Sequence, residues 1–400
     1  MTAAVLPIDA ALPVDTALFN DIQLYGAADV SACFSCGVCT ATCPLVGDDA
    51  SFPRRMIRYA QVGLRDRLLS SHELWACYGC GECSDSCPTQ AEPSEFMASA
   101  RRYAIAHYDR TGLARLMYTH PLIGSIIAIA LAAFFALFMY VSRGPMSGAA
   151  LDIFGFVPEG LIHDTGVVVM IATLAAGLVG LATMARGVAH HTGVTLRSLI
   201  SGRAGIGRAA AAAWRAVVVE SLGQRRYRAD CESDASIPWY RRRWFIHALT
   251  MWGFLGLLAA TILDYGLAVI GIKATGTPVQ IWYPVRLLGT LAGLALVYGV
   301  SALIIRRVRR ADRSVRKSSA ADWTFLLLLE VTGLTGFGLE LALYLPEPPV
   351  WGYWMFLFHV AVAMELVLLA PFIKFAHAVY RPLALFFLSL TARSITTKEV

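Results

Sequence analysis

Residues 33–44 read CFSCGVCTATCP, and residues 77–88 read CYGCGECSDSCP. Both follow C-x2-C-x2-C-x3-C-P: Cys33, Cys36, Cys39 and Cys43 before Pro44, then Cys77, Cys80, Cys83 and Cys87 before Pro88. This is a spacing that ligates [4Fe–4S] cubanes. Two residues between cysteines let a short loop wrap a cube while each thiolate reaches its own iron. The fourth iron takes a ligand from elsewhere, and in two-cluster folds it comes from the opposite run. The expected ligand sets are therefore Cys33, Cys36, Cys39 and Cys87 for a first cluster, and Cys77, Cys80, Cys83 and Cys43 for a second. A zinc site uses four ligands, commonly as two separated C-x2-C pairs, and fits these runs less well. Cys231 stands apart from both runs and reads as a free thiol.

Outward from the runs, the chain divides in two. Of its 400 residues, 57% are hydrophobic and 16% charged, a balance typical of membrane proteins. Eight of the nine cysteines fall before residue 120, and the long apolar stretches follow. The net charge of +6 is not a nucleic-acid footprint, because its arginines cluster between apolar stretches. The N-terminal MTAAVLPIDAALPV lacks a basic region and a long apolar core, so no signal peptide is expected. The cysteine half is then expected in the cytoplasm, where clustered cysteines hold metal more often than disulfides.

Between the runs, Met56, Ala60, Leu64 and Leu68 recur every four residues and predict a helix. After Cys87, Phe96, Ala100 and Ala104 share a helical face with Ser94 as a candidate cap. The basic residues Arg54, Arg55, Arg58 and Arg65 form either a solvated face or a docking face for an acidic partner.

Six stretches are long enough to cross a bilayer of ~30 Å, which takes ~20 helical residues. They lie near 120–141, 162–185, 244–271, 283–306, 322–345 and 353–378. Arginines crowd the connections after the second and fourth. The other connections hold only Arg143 and Lys273. The positive-inside rule puts the arginine-rich connections, both termini and the cysteine half in the cytoplasm. The fold class is all-α: a helical two-[4Fe–4S] domain at 31–112 follows an N-terminal extension at 1–30. A six-span bundle at 113–385 comes next, with a cytoplasmic tail at 386–400.

The last span contains His359 and His377, 18 residues or five helical turns apart, so both are expected to project from one face, about 27 Å apart along the axis. His247 matches His377 in height, and His163 matches His359. Two haems, each held by two histidines, fit this arrangement: His247 with His377 and His163 with His359. Otherwise these are interfacial histidines with ordinary hydrogen bonds. Asp264, Glu330, Glu340 and Glu365 also fall within spans. They are either proton carriers for quinone chemistry or members of structural pairs. His190 and His191 fall beyond the second span, and His72, His107 and His120 read as surface residues. The glycines of GRAGIGRAA follow no strand and are not read as a nucleotide loop.

CFSCGVCTATCP, FPRRMIRYAQVGL and WACYGCGECSDSCP together resemble the iron–sulfur C subunit of heterodisulfide reductases. The apolar half is similar to the cytochrome b subunits of heterodisulfide reductase and respiratory nitrate reductase. The fusion of the two resembles the membrane subunit of the quinone-interacting membrane-bound oxidoreductase (Qmo) family. That resemblance implies one or two haems b, a quinone, and cytoplasmic flavin- and iron–sulfur-containing A and B type partner subunits at a bacterial cytoplasmic membrane. It also implies electron exchange with adenylylsulfate reductase in sulfur metabolism. The third span departs from the nitrate-reductase pattern in offering only His247, which bears on the outer haem and on His163. No nucleophile motif is visible, so the expected activity is electron transfer within a quinone-linked oxidoreductase. The alternatives are the equivalent subunit of another heterodisulfide-reductase-like complex and a haem-free iron–sulfur anchor.

Overall fold

The computed structural model describes residues 13–45, 52–146, 151–230, 237–273, 279–311, 317–345, 347 and 349–396, less the side chains of 203, 204, 229, 230 and 392–396. Cys231 lies outside the described residues. Among them every regular element is helical and no strand occurs, as the all-α reading expects.

The chain forms two compact units. The first comprises residues 1–115, 179–225 and 377–400, and the second residues 116–178 and 226–376. The cysteine unit thus extends well beyond residue 112, drawing in a central segment and the C-terminal helix.

In the first unit, the helix Pro93–Tyr108 is the spine. Its buried face carries Phe96, Met97, Ala100 and Ala104, packed among Leu18, Ile22, Met56, Ile57 and Leu74. Arg102 and Glu95 on this helix are both buried and pair at 3.1 Å. The Arg102 guanidinium also donates to the Tyr25 carbonyl at 2.9 Å, and the Ser99 hydroxyl reaches the same oxygen at 3.1 Å. A buried charge is tolerable only when paired and hydrogen-bonded in this way. Ser94 is not the helix cap. The helix starts at Pro93 with Glu92 before it, and the Ser94 amide instead donates to Ser84 Oγ at 3.0 Å. An N-terminal amide of the spine is therefore satisfied from the second cysteine run.

The predicted helix through Met56 and Leu68 is two helices, Arg54–Gln61 and Arg65–Leu69. Gly63 between them takes a left-handed backbone, φ 76°, which ends an α-helix. Residues 196–230, read above as a connection, form further helices: Leu196–Ile200, Gly202–Trp214 and Arg225–Asp230, with a wider π turn over Arg215–Leu222. GRAGIGRAA opens the second of these helices.

Six helices among the described residues are long and apolar enough to span a bilayer: Pro121–Val141, Glu159–Thr192, Arg243–Val269, Pro284–Val308, Ala320–Tyr344 and Val350–Leu369. They make this a multi-pass membrane protein. Only 17% of the most apolar stretch is buried in each of the first three, against 56% in the sixth. The sixth is thus the enclosed helix of its unit, and the outer faces of the others are left for lipid. The third and fourth spans approach closely at Gly253, where a side chain would collide with the Leu296 amide at 2.5 Å.

One expectation fails here. The sixth span ends at Leu369, not near 378, and a new helix, His377–Thr396, begins after a 3-10 turn at Lys374–Ala376. Pro371 is the cause: it has no amide to donate and its ring crowds the carbonyl one turn back, although Ala370 before it still has helical backbone. His359 and His377 therefore lie on separate helices, and the shared-face argument does not hold. The helix continues to Thr396, so residues 386–396 are not an unstructured tail.

Replacing Arg102 by Leu removes the buried counter-charge of Glu95. It should cost about 3–5 kcal/mol, read as a lower thermal midpoint of the detergent-solubilised protein. Arg58→Ala, at an exposed position, should leave the midpoint within error.

Candidate iron–sulfur and membrane sites

The two cysteine runs fold alike. Each places left-handed residues at equivalent positions, Ser35 and Gly37 in the first, Gly79 and Gly81 in the second. Each then makes a one-turn helix, Val38–Ala41 or Glu82–Asp85. The left-handed residues reverse the chain tightly between the cysteines. Glycine at 37 and 81 takes this backbone without steric cost.

Cys43, Cys77, Cys80 and Cys83 line one cavity, with Phe52, Pro53, Tyr78 and Met97 as its apolar walls. This brings the last thiol of the first run to the first three of the second. Burial pushes the Cys43 thiol up to about 11, and the charges of Cys77 and Cys80 add to the shift. Burial pushes Cys83 up as well, reinforced by Cys77, Cys80 and Cys43. Cys39 is raised first by burial, then by Cys33 and Cys36, and it also feels Cys87. Cys43 of the first run thus lies with the first three thiols of the second, and Cys39 feels Cys87 across the runs. Cys36 is the exposed member.

Four soft thiol donors in an apolar-walled cavity suit a cubane, which takes one thiolate per iron. Among the described residues, no three Cys, His, Asp or Glu side chains converge on a point fit for a single ion. A cube four irons wide does not require that. The raised thiols hold their protons until iron displaces them, so cluster assembly releases protons.

Side chains missed by the sequence reading support the loops. Gln61 Nε2 donates to the Cys33 carbonyl at 2.9 Å, and Gln61 Oε1 accepts from Ser35 Oγ at 3.4 Å. Arg54 reaches the Ser35 carbonyl at 3.5 Å. At the equivalent second-run carbonyl, Cys77, the donors are Arg101 at 2.8 Å and Arg381 at 3.1 Å. The Gly79 amide also donates to Cys77 Sγ at 3.3 Å. Gln61 and Arg101 carried a sequence signal, lying on the helices beside the runs. Arg381 carried none.

Among the membrane candidates, His359 Nδ1 bonds Thr335 Oγ1 at 2.9 Å, and its ring packs against Gly336, where a Cβ would lie 3.3 Å from Cε1. His163 is exposed, its Nε2 bonded to Tyr265 OH at 2.9 Å and its ring stacked on the tyrosine. His247 lies edge-on to Tyr227, 5.8 Å between ring centres. His247 belongs to the second unit and His377 to the first.

The carboxylates separate by environment. Asp264 pairs with Lys273 at 2.5 Å, and Glu340 with Arg286 at 2.5 Å. Both are explained as structural pairs. Glu330 accepts from Ser301 Oγ at 2.5 Å, but its other oxygen is buried without a partner. Glu365 is 1% exposed, with Oε1 buried and unpartnered.

The crossed sets predict a pattern in double variants. Cys36→Ala with Cys87→Ala damages one cluster and should leave half the iron. Cys36→Ala with Cys43→Ala damages both clusters and should leave little. Iron analysis after anaerobic purification decides this, and the reverse pattern would mean uncrossed ligation.

Residues 29–91 match the 4Fe-4S dicluster domain family. This establishes an iron–sulfur domain for the cysteine half. Over 54 residues the chain is 39% identical to the C subunits of the H(2):CoB-CoM heterodisulfide,ferredoxin reductases of Methanothermobacter thermautotrophicus and Methanothermobacter marburgensis. That match covers 14% of this chain and 29% of theirs. Over 152 residues it is 32% identical to the citrate utilization protein B of Escherichia coli, 38% of each chain. These matches cover well under half the length of each relative. No solved structure matches. The match that spans most of the molecule runs over residues 148–397, 250 of the 400, and by it the chain belongs to the citrate utilization protein B family.

Proposed function

We propose that this protein is the membrane component of a quinone-linked oxidoreductase. It passes electrons between the quinone pool and cytoplasmic flavin or iron–sulfur partner subunits. The observation that carries this reading is the union, in one chain, of a dicluster-type cysteine domain, in which Cys43 meets Cys77, Cys80 and Cys83 in one cavity, with six membrane-length helices. The clusters supply one-electron carriers whose potentials the surrounding charges and hydrogen bonds adjust. Cys33, Cys36, Cys39 and Cys87 hold one, and Cys77, Cys80, Cys83 and Cys43 the other.

Haem b in the membrane unit is part of the proposal. His359 suits an axial ligand: Thr335 holds its Nδ1, which orients the ring and leaves Nε2 for iron, as the second-shell partners of ligating histidines do. His163 suits the role less well, because Tyr265 occupies its Nε2. His247 and His377 remain candidate ligands, each within its own unit. Glu365 and Glu330, with their unpartnered buried oxygens, are candidates to carry the protons that quinone chemistry consumes or releases. The orientation follows from arginine: the segments 186–243 and 306–317 carry most of it, so the cysteine unit and both arginine-rich segments face the cytoplasm.

The soluble partner is open between two classes. The Qmo-like resemblance points to adenylylsulfate reductase and sulfur metabolism. Membership in the citrate utilization protein B family, over most of the chain, favours a partner in citrate utilization. The proteins that co-purify from the native membrane distinguish the two.

The reduced-minus-oxidised absorption spectrum of the purified protein tests the haem. Bands of b-type haem are expected, and His359→Ala should abolish at least half of their amplitude, while Thr335→Val weakens haem retention. Iron–sulfur absorbance without haem bands would reduce the protein to a cluster-bearing anchor.

A further inference from the structure

The two cysteine runs repeat each other in cysteine spacing and backbone, but differ in the groups that hold the carbonyl of their first cysteine. At the first cysteine of each run the carbonyl oxygen accepts hydrogen bonds from elsewhere in the unit. For Cys33 the donor is the neutral amide of Gln61, at 2.9 Å. For Cys77 the donors are two guanidiniums, Arg101 at 2.8 Å and Arg381 at 3.1 Å. On the first run the guanidinium of Arg54 touches the Ser35 carbonyl at 3.5 Å and lies against Gly37, away from the Cys33 carbonyl.

Arg381 lies 304 residues beyond Cys77, on the C-terminal helix. It also donates to the Trp75 carbonyl at 3.0 Å and stacks over the Tyr78 ring with its central carbon 4.4 Å from the ring centre. Its neighbour Tyr380 is buried against Trp75 and Tyr108, at ring separations of 5.1 and 5.2 Å. Tyr108 is itself fixed by a 2.6 Å bond to the Leu69 carbonyl. The guanidinium is therefore held in place by a packed aromatic cluster.

One role for such a pair is to cap the short helix Glu73–Ala76, whose last carbonyls have no partner within the helix. That role needs hydrogen bonds and does not by itself require two positive charges. Two half-buried cations beside one ligand loop have a further effect. Reduction adds negative charge to a cluster, and fixed positive charge nearby favours the reduced form. Net charge and hydrogen bonding near the sulfurs are among the determinants of cluster potential.

We propose that Arg101 and Arg381 form a guanidinium clamp that raises the reduction potential of the second cluster, so that the C-terminal helix sets that potential. Both are positioning and tuning residues, and neither ligates iron. The proposal rests on the two-cluster reading of the cysteines and on nothing about haem or quinone. It links the two ends of the chain: residue 381 lies in the part shared with the citrate utilization protein B family, and the loop that it holds lies in the dicluster domain.

The test is a redox titration of the full-length, cluster-loaded protein, followed by electron paramagnetic resonance, with iron counted per chain. Arg381→Gln and Arg101→Gln should each shift one of the two cluster signals to lower potential by up to a tenfold change in its reduction equilibrium, about 59 mV for one electron. The other signal should stay in place. Arg381→Lys, which keeps the charge but not the forked geometry, should recover most of the shift. Gln61→Arg adds charge at the equivalent carbonyl and should raise the potential of the other cluster. Wild-type potentials in Arg381→Gln and Arg101→Gln with full iron would overturn the proposal. So would an Arg381→Lys variant as shifted as Arg381→Gln, since only geometry would then matter. If both glutamine variants lose the second cluster, Gln61→Arg decides: an unmoved first-cluster potential overturns the proposal.

Discussion

The structure turns on the crossing of two short cysteine runs. Cys43 of the first run shares a cavity with Cys77, Cys80 and Cys83 of the second, so that cavity is complete only when both loops are held together. Thiolates repel one another, and burial makes their charge more costly still, which is why Cys39, Cys43 and Cys83 are all pushed up. The scaffold must therefore hold an arrangement that the bare loops would not keep. The spine helix Pro93–Tyr108 does this with a buried Arg102–Glu95 pair and with Ser94 bonded to Ser84 in the second run. The C-terminal helix does it from the far end of the sequence, through Tyr380 and Arg381.

The membrane unit follows a different logic. Its outer helices leave their apolar faces for lipid. Where a carboxylate has a cation, as Glu340 has Arg286 and Asp264 has Lys273, structure alone accounts for it. Glu365 has no such explanation. It sits on the most enclosed helix of the unit, one and a half turns or so beyond His359 on the same span. Groups of this kind in a membrane mark proton or substrate pathways more often than packing.

Much of this was legible in the sequence. The cysteine spacing carries the metal chemistry because a cube dictates it, and six apolar stretches carry the spans because a bilayer has a fixed thickness. Two misreadings had visible local causes: Pro371 ends the sixth span and separates His359 from His377, and Gly63 divides the helix between the runs. The division into units was not legible. It depends on contacts between Arg381 and Cys77 and between Arg67 and His191, which no periodicity records. The helices at 196–230 were masked by their arginines, which read as a connection when only hydrophobic pattern is followed.

The central claim is that the cytoplasmic clusters and the membrane unit belong to one electron path ending at quinone. Its most direct measurement is rapid mixing of the fully cofactor-loaded chain, reconstituted in lipid vesicles, with a quinol of sufficiently low potential. Electron paramagnetic resonance then follows the clusters. The account predicts that signals of reduced [4Fe–4S] clusters appear and that a quinone-site inhibitor blocks them. Clusters that stay oxidised under the quinol, yet are reduced at once by dithionite, would contradict it.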